Sequence, residues 1–158
     1  MKLLLKQKIW SWFDSFDIWN EKGEVVYRVK GHMACGHAFR VYDKYDREIA
    51  EIKQRMWSWT YKFDIIQNGK ETGLVHKQFT WKPRFDIHFN NKEYDVVGNW
   101  MGWDYRLTSS NKLIAEIHKE IWNWTDTYSI NVDEKDELTA VILVVAIDAI
   151  KCCQSSNN

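Results

Sequence analysis

The sequence predicts a mainly β fold: a closed antiparallel barrel of about twelve strands around a buried C-terminal apolar helix. Three observations predict it. An aromatic-x-aliphatic triplet recurs at near-constant spacing, hairpin-turn residues follow each of the first five copies, and residues 138–150 are apolar around the whole helical circumference.

The triplets are Phe16-Asp17-Ile18, Phe39-Arg40-Val41, Phe63-Asp64-Ile65, Phe85-Asp86-Ile87, Tyr105-Arg106-Leu107 and Tyr128-Ser129-Ile130, and their anchors step by 23, 24, 22, 20 and 23 residues. Five of them carry a charged residue between the apolar pair. A half-buried strand requires this, because successive side chains face opposite sides of a sheet. The turns are Asn20-Glu21-Lys22-Gly23, Asp43-Lys44-Tyr45-Asp46, Asn68-Gly69, Asn90-Asn91 and Ser109-Ser110-Asn111. Asn, Asp and Gly accept the positive φ that tight hairpins need. Return strands follow, and two of them share the letters Ile49-Ala50-Glu51-Ile52 and Ile114-Ala115-Glu116-Ile117.

A second motif links the hairpins. Lys6-Gln7-Lys8-Ile9-Trp10-Ser11-Trp12 returns as Lys53-Gln54-Arg55-Met56-Trp57-Ser58-Trp59, with looser copies at His76–Trp81 and His118–Trp124. Residues Lys2 to Ile9 therefore read as an opening strand, followed by five hairpins and one last strand. Closure removes the two exposed edges of such a sheet. About eight strands are already filled by side chains alone, so twelve leave a lumen. Leu138, Val141, Ile142, Leu143, Val144, Val145, Ile147 and Ile150 suit a helix surrounded on all sides, and small inward Ala50 and Ala115 leave room for it. One domain over residues 1–151 is expected, with the helix near 138–151 and a polar tail at 152–158.

The hairpin run, the Trp122-Asn123-Trp124-Thr125-Asp126-Thr127-Tyr128 segment and the final apolar helix ending near Ile147-Asp148 resemble the LURP-one-related (YxjI-like) family. That family belongs to the Tubby C-terminal-like group, which also contains the phospholipid scramblases. The resemblance implies a twelve-stranded barrel around a central helix. It also implies two functional directions: phosphoinositide binding by basic residues on the barrel exterior, as in Tubby domains, and calcium-linked lipid movement, as in scramblases. No Tubby lipid-binding position aligns residue by residue.

Composition narrows the function classes. The 158 residues carry 22 basic and 22 acidic side chains, ten Trp and a single Pro, Pro83. A net charge of zero gives no overall attraction to nucleic acid, and none is expected as a partner. Three cysteines, two of them the adjacent Cys152 and Cys153, fit reduced thiols better than a disulfide framework. The apolar run before Lys6 is only Leu3-Leu4-Leu5, too short for a secretory signal, and 138–150 is too short to span a bilayer. The expected location is cytoplasmic, or peripheral to a membrane.

The sequence contains no nucleophile elbow, phosphate loop or dinucleotide fingerprint, so no enzyme, no catalytic residue and no cofactor is expected. Asp17, Asp64 and Asp86 repeat with the strands and read as outer wall. His32-Met33-Ala34-Cys35-Gly36-His37 offers three ligands but no second pair, and reads as a loop between two hairpins. His76 and His118 occupy matching repeat positions and read as packing. The acidic stretch before the helix suits the positive end of its dipole, with Asp133 or Asp136 as cap. Asp126, Asn131, Asp133 and Asp136 are weak calcium candidates without a calcium loop's glycine turn. Trp10, Trp57 and Trp122 recur at corresponding positions and are expected to close the barrel ends over the helix.

The leading expectation is a non-enzymatic module that binds anionic lipid or phosphoinositide. Its candidate residues are Lys6, Lys8, Lys53, Arg55, Lys77, Lys82, Arg84 and Lys119, which interleave with the Trp-x-Trp links. The rivals are a protein-interaction or scaffold domain with a protein partner, and a calcium-responsive scramblase-like protein.

Overall fold

In a computed structural model, residues 1–6, 15–34, 36–78, 80–82, 84–120 and 127–156 are described. The strands are β1 (Lys2–Lys6), β2 (Ser15–Trp19), β3 (Val25–Ala34), β4 (Gly36–Asp43), β5 (Glu48–Gln54), β6 (Lys62–Gln67), β7 (Lys70–Gln78), β8 (Arg84–Phe89), β9 (Lys92–Asn99), β10 (Asp104–Ser109), β11 (Lys112–Glu120) and β12 (Thr127–Val132). A 3-10 turn at Glu134–Asp136 leads into α1 (Glu137–Ser156). Every strand pairs antiparallel with its sequence neighbours, and β1 pairs with β12 to close the barrel. The expected fold is therefore the observed one.

The turn residues do what their chemistry predicts. Asn68, Gly69, Asn90, Asn91, Ser110 and Asn111 all have positive φ, between 49° and 72°. That is the pattern of two-residue hairpins whose twist matches the flanking strands. At the two longer turns, side-chain carboxamide and carboxylate oxygens replace backbone acceptors. Asn20 Oδ1 accepts from the Lys22 and Glu24 amides, and Asp43 Oδ1 from those of Tyr45 and Arg47.

The triplet repeat marks more than burial. Register shifts fall directly after its aliphatic residue in four copies, at Ile18/Trp19, Val41/Tyr42, Ile65/Ile66 and Leu107/Thr108. An irregularity of this kind bends and twists its strand, so the repeat supplies both the inward face and the curvature that closes the wall. The anchors of copies two to six, Phe39, Phe63, Phe85, Tyr105 and Tyr128, are all buried.

Within the barrel, every residue of α1 from Ala140 to Ile150 is buried. The segment is rich in β-branched side chains, which are mediocre helix formers and would not hold a helix alone in water. Burial supplies the stability instead, at about 1.5–3 kcal/mol for each fully enclosed aliphatic side chain. Ala50 and Ala115 point inward against it, as expected. Leu138 does not join this core: it is 39% exposed, because the wall surrounds α1 only from Ala140 onward.

Three further expectations need correction. First, α1 continues to Ser156, so Cys152 and Cys153 lie within the helix as buried thiols outside any disulfide rather than in a tail. Burial pushes them up to about 11 and about 12, which leaves them protonated and unreactive. Second, the segment around His32 and His37 is paired strand, with β3 and β4 matched as far as Ala34 and Gly36; Cys35 itself lies outside the described residues. Third, Asp133 precedes the 3-10 turn but makes no side-chain capping bond, because its carboxylate pairs with Lys135 at 3.4 Å.

Asp148 is buried inside the barrel with one carboxylate oxygen lacking any hydrogen-bond partner. The nearby Tyr105 hydroxyl is also buried without a partner, and Asp148 adds to the effect of burial in raising it. Burial raises the Asp148 carboxyl well above the usual carboxylate range, and Lys151 offsets this only in part. A raised folded value means the folded chain holds the proton longer than the unfolded chain. Stability should therefore fall as pH rises from the ordinary carboxyl range toward that raised value. The Asp148→Asn variant should lose this slope in melting temperature measured against pH; parallel curves for the two proteins would contradict the assignment.

Gly73 on β7 marks a close approach between strands. A Cβ there would sit 2.5 Å from the His88 carbonyl oxygen, a backbone atom that cannot swing away. Gly73→Ala should cost about 1–3 kcal/mol by overpacking the wall, read from urea unfolding midpoints; an unchanged midpoint would show that the wall yields there.

Candidate functional site at the linker end of the barrel

Alternating strand direction sorts the connections. The five hairpin turns gather at one end, with Met1 and the start of α1. All links between hairpins gather at the other, with the end of α1. The candidate basic residues sit in or beside these links, so topology brings them to one rim. Lys6 ends β1, Lys53 lies near the end of β5 with Arg55 just beyond it, and Lys77 lies near the end of β7. Lys82 is in the next link, Arg84 begins β8, and Lys119 lies near the end of β11. Lys8 lies outside the described residues.

The rim is not a uniform positive patch. Arg55 Nη2 is 2.6 Å from Asp64 Oδ1 and 3.5 Å from Glu71 Oε1. Arg84 Nε is 4.0 Å from Asp86 Oδ1, a carboxylate that also accepts from Gln78. Asp17 likewise pairs with Arg28 at 2.8 Å. The repeat aspartates thus do face outward, where Asp17 meets a cation of the neighbouring strand, Asp64 one in the adjoining link and Asp86 one on its own strand. Lys77 turns over the Trp100 ring at 4.9 Å, and burial lowers its ammonium below the usual lysine value. Among the described residues, no carboxylate lies within ion-pair distance of Lys53 or Lys82.

The described tryptophans of the links divide into two groups. Trp100 and Trp103, on the link between β9 and β10, fold inward and are buried. Trp100 meets Phe85 edge-on at 4.9 Å, Trp103 stacks on Tyr128 at 4.1 Å, and Lys151 of α1 lies over Trp103 at 4.8 Å. This pair closes the end, a role that the Trp-x-Trp repeat did not reveal. The detectable signal was Gly98 just before the pair and Gly102 within it. Gly98 has φ of 116°, with the Asp104 carbonyl oxygen 2.8 Å from where a Cβ would be.

Trp57 was expected to perform that closure and does not: it is 99% exposed, and Trp59 and Trp81 are fully exposed as well. The link carrying Trp57 and Trp59 is braced across its base, which turns those rings away from the lumen. The Arg55 amide donates to the Lys62 carbonyl, the Lys77 amide donates to the Tyr61 carbonyl, and Thr60 Oγ1 lies 2.7 Å from His76 Nε2. Trp10 and Trp122 lie outside the described residues. His76 thus braces a link, and His118 meets Asp104 of β10 at 3.0 Å.

The turn end carries two polar grooves. One, of about 500 Å³, runs between the turns at Asn91 and Ser110 to Asp136; the other, of about 320 Å³, is lined by Met1, Leu113, Glu116, Asn131 and Asp133. The calcium candidates are therefore divided between two grooves, and Asp126 lies outside the described residues. No group of three His, Cys, Asp or Glu side chains comes together for a metal among the described residues. Among them, also, no helix is long and apolar enough to cross a membrane.

The division between structural and displayed tryptophans is measurable. Trp103→Ala should cost about 3–5 kcal/mol in urea unfolding, as large buried aromatics do. Trp81→Ala should change stability by no more than about 0.5 kcal/mol, as for an ordinary surface site.

Comparison with known proteins agrees with the architecture. An Arabidopsis thaliana protein of known X-ray structure superposes with a TM-score of 0.62 at 14% identity, covering 94% of this chain and 91% of that one. No curated protein matches the sequence. The sequence profile of the LURP-one-related family matches residues 1–148, and by that match over nearly its whole length the chain belongs to the LURP-one-related family.

Proposed function

We propose that the protein is a non-enzymatic binding module that docks its linker end on an anionic membrane surface. One observation carries this reading: the sequence spreads the candidate cations over more than a hundred residues, and the topology returns them to a single rim. Cations close to an anionic surface contribute about 1 kcal/mol each. Lys82, Arg84 and Lys119 are exposed on this rim, and Lys53 is half-buried there. Asp64 and Asp86 moderate the field by pairing with Arg55 and Arg84, which makes attachment weak and reversible.

Sedimentation with phosphatidylserine-containing vesicles at physiological salt should carry the protein down more than phosphatidylcholine vesicles do. The Lys82→Glu, Lys119→Glu double variant should lose that preference, because it places carboxylates at exposed rim positions. Asp64→Asn should strengthen it by releasing Arg55. Equal sedimentation of the wild-type chain with both vesicles would overturn the proposal.

A further inference from the structure

We infer that Trp57, Trp59 and Trp81 form an interfacial anchor that enters the headgroup layer of a bilayer once the rim has docked, an inference that rests on the membrane reading above. The three indoles are exposed at 99%, 101% and 101%. They occupy two links, β5–β6 and β7–β8, whose strands are neighbours in the wall, so all three share one sector of the rim.

Both links hold their rings out by design of the backbone. The first is pinned by the Arg55–Lys62 and Lys77–Tyr61 hydrogen bonds and by the Thr60–His76 contact. Its Trp57 has φ of 63°, a left-handed conformation disfavoured for a residue with a Cβ. In the second, the Thr80 hydroxyl donates to the Lys82 carbonyl, which bends the chain around Trp81. An indole normally gains its stability by packing, and these three gain none within the described chain. Trp100 and Trp103 at the same end show that the barrel closes without them.

The occupant follows from chemistry and charge. Indole favours the membrane–water boundary, where its apolar ring and its N–H both find a suitable medium. Lys82 directly follows Trp81, and Arg55 and Arg84 lie close to the rings in sequence, so cations border the aromatics as anionic headgroups require. Met56, 49% exposed beside Trp57, adds apolar surface to the same link.

Vesicles containing phosphatidylserine, with bromine carried either near the carbonyl region or near the chain terminus, provide the test. Bound protein should show stronger tryptophan quenching by the shallow bromines. The Trp57→Ala, Trp59→Ala, Trp81→Ala triple variant should lose that quenching and bind about tenfold or more weakly. Its melting temperature should be unchanged, since the rings pack against nothing among the described residues, and single Trp→Phe variants should retain part of the binding. Binding without shallow quenching, or a triple variant that binds as wild type, would overturn the anchor while leaving the charged docking surface intact. Absence of binding to any anionic vesicle would overturn both. Quenching and binding transferred to a protein partner instead would overturn the bilayer as occupant.

Discussion

The structure depends on the fit between a wall of twelve strands and the helix it encloses. A barrel of that width cannot fill its own lumen with side chains projecting from the wall. A helix rich in valine and isoleucine would not form alone in water. Each element therefore makes the other possible, and the small inward Ala50 and Ala115 are where the wall yields space to α1. Asp148 and the Tyr105 hydroxyl bring buried polar atoms without hydrogen-bond partners into this apolar interior.

Much of this was legible because the wall is repetitive. Phe63-Asp64-Ile65 states, in three letters, an inward ring, an outward charge and an inward aliphatic, and the same statement recurs along the chain. The turns were equally legible, since Asn90-Asn91 and Asn68-Gly69 name residues that tolerate the φ observed there. The bulges after the triplets were not, because a shift of register is a relation between two strands and leaves no mark in either one alone. The fate of the tryptophans was hidden for a similar reason. Trp57 and Trp103 both lie in links at the same end, and only the hydrogen bonds at the base of the first link turn its rings outward. Among the candidate site residues, the positions of the cations could be read from their place between hairpins. Their pairing could not, since Arg55 begins a link whose hydrogen bond to Lys62, at the start of β6, sets the 2.6 Å contact with Asp64.

Zero net charge conceals a cross-strand arrangement rather than two separated fields. The outward aspartates of the triplets lie across from basic side chains, and this pairing makes the wall well hydrated and nearly neutral. At the linker end Lys53 and Lys82 lie beyond ion-pair distance of any carboxylate among the described residues. On the proposed membrane reading, a rim so paired would attract an anionic surface without holding it by charge alone, which places correspondingly more weight on whatever apolar groups the same rim presents.

The two faces of the wall also decide how a membrane could be approached. A barrel that spans a bilayer turns apolar side chains to lipid and keeps a polar interior. Here the order is reversed: Phe63, Ile65, Ile87 and Leu107 point in toward an apolar helix, while Asp64, His88, Arg106 and Glu116 lie on the outer face. Embedding that exterior in hydrocarbon would strip water from charged side chains on successive strands, at a cost the rim cannot offset. Contact with a membrane must then be end-on, and the two ends differ. The turn end is built from tight Asn, Gly and Ser turns with grooves of mixed charge, whereas the linker end carries the candidate cations and the displayed indoles. The alternation of strand direction that closes the barrel is thus also what gathers the candidate cations and the displayed indoles at one end.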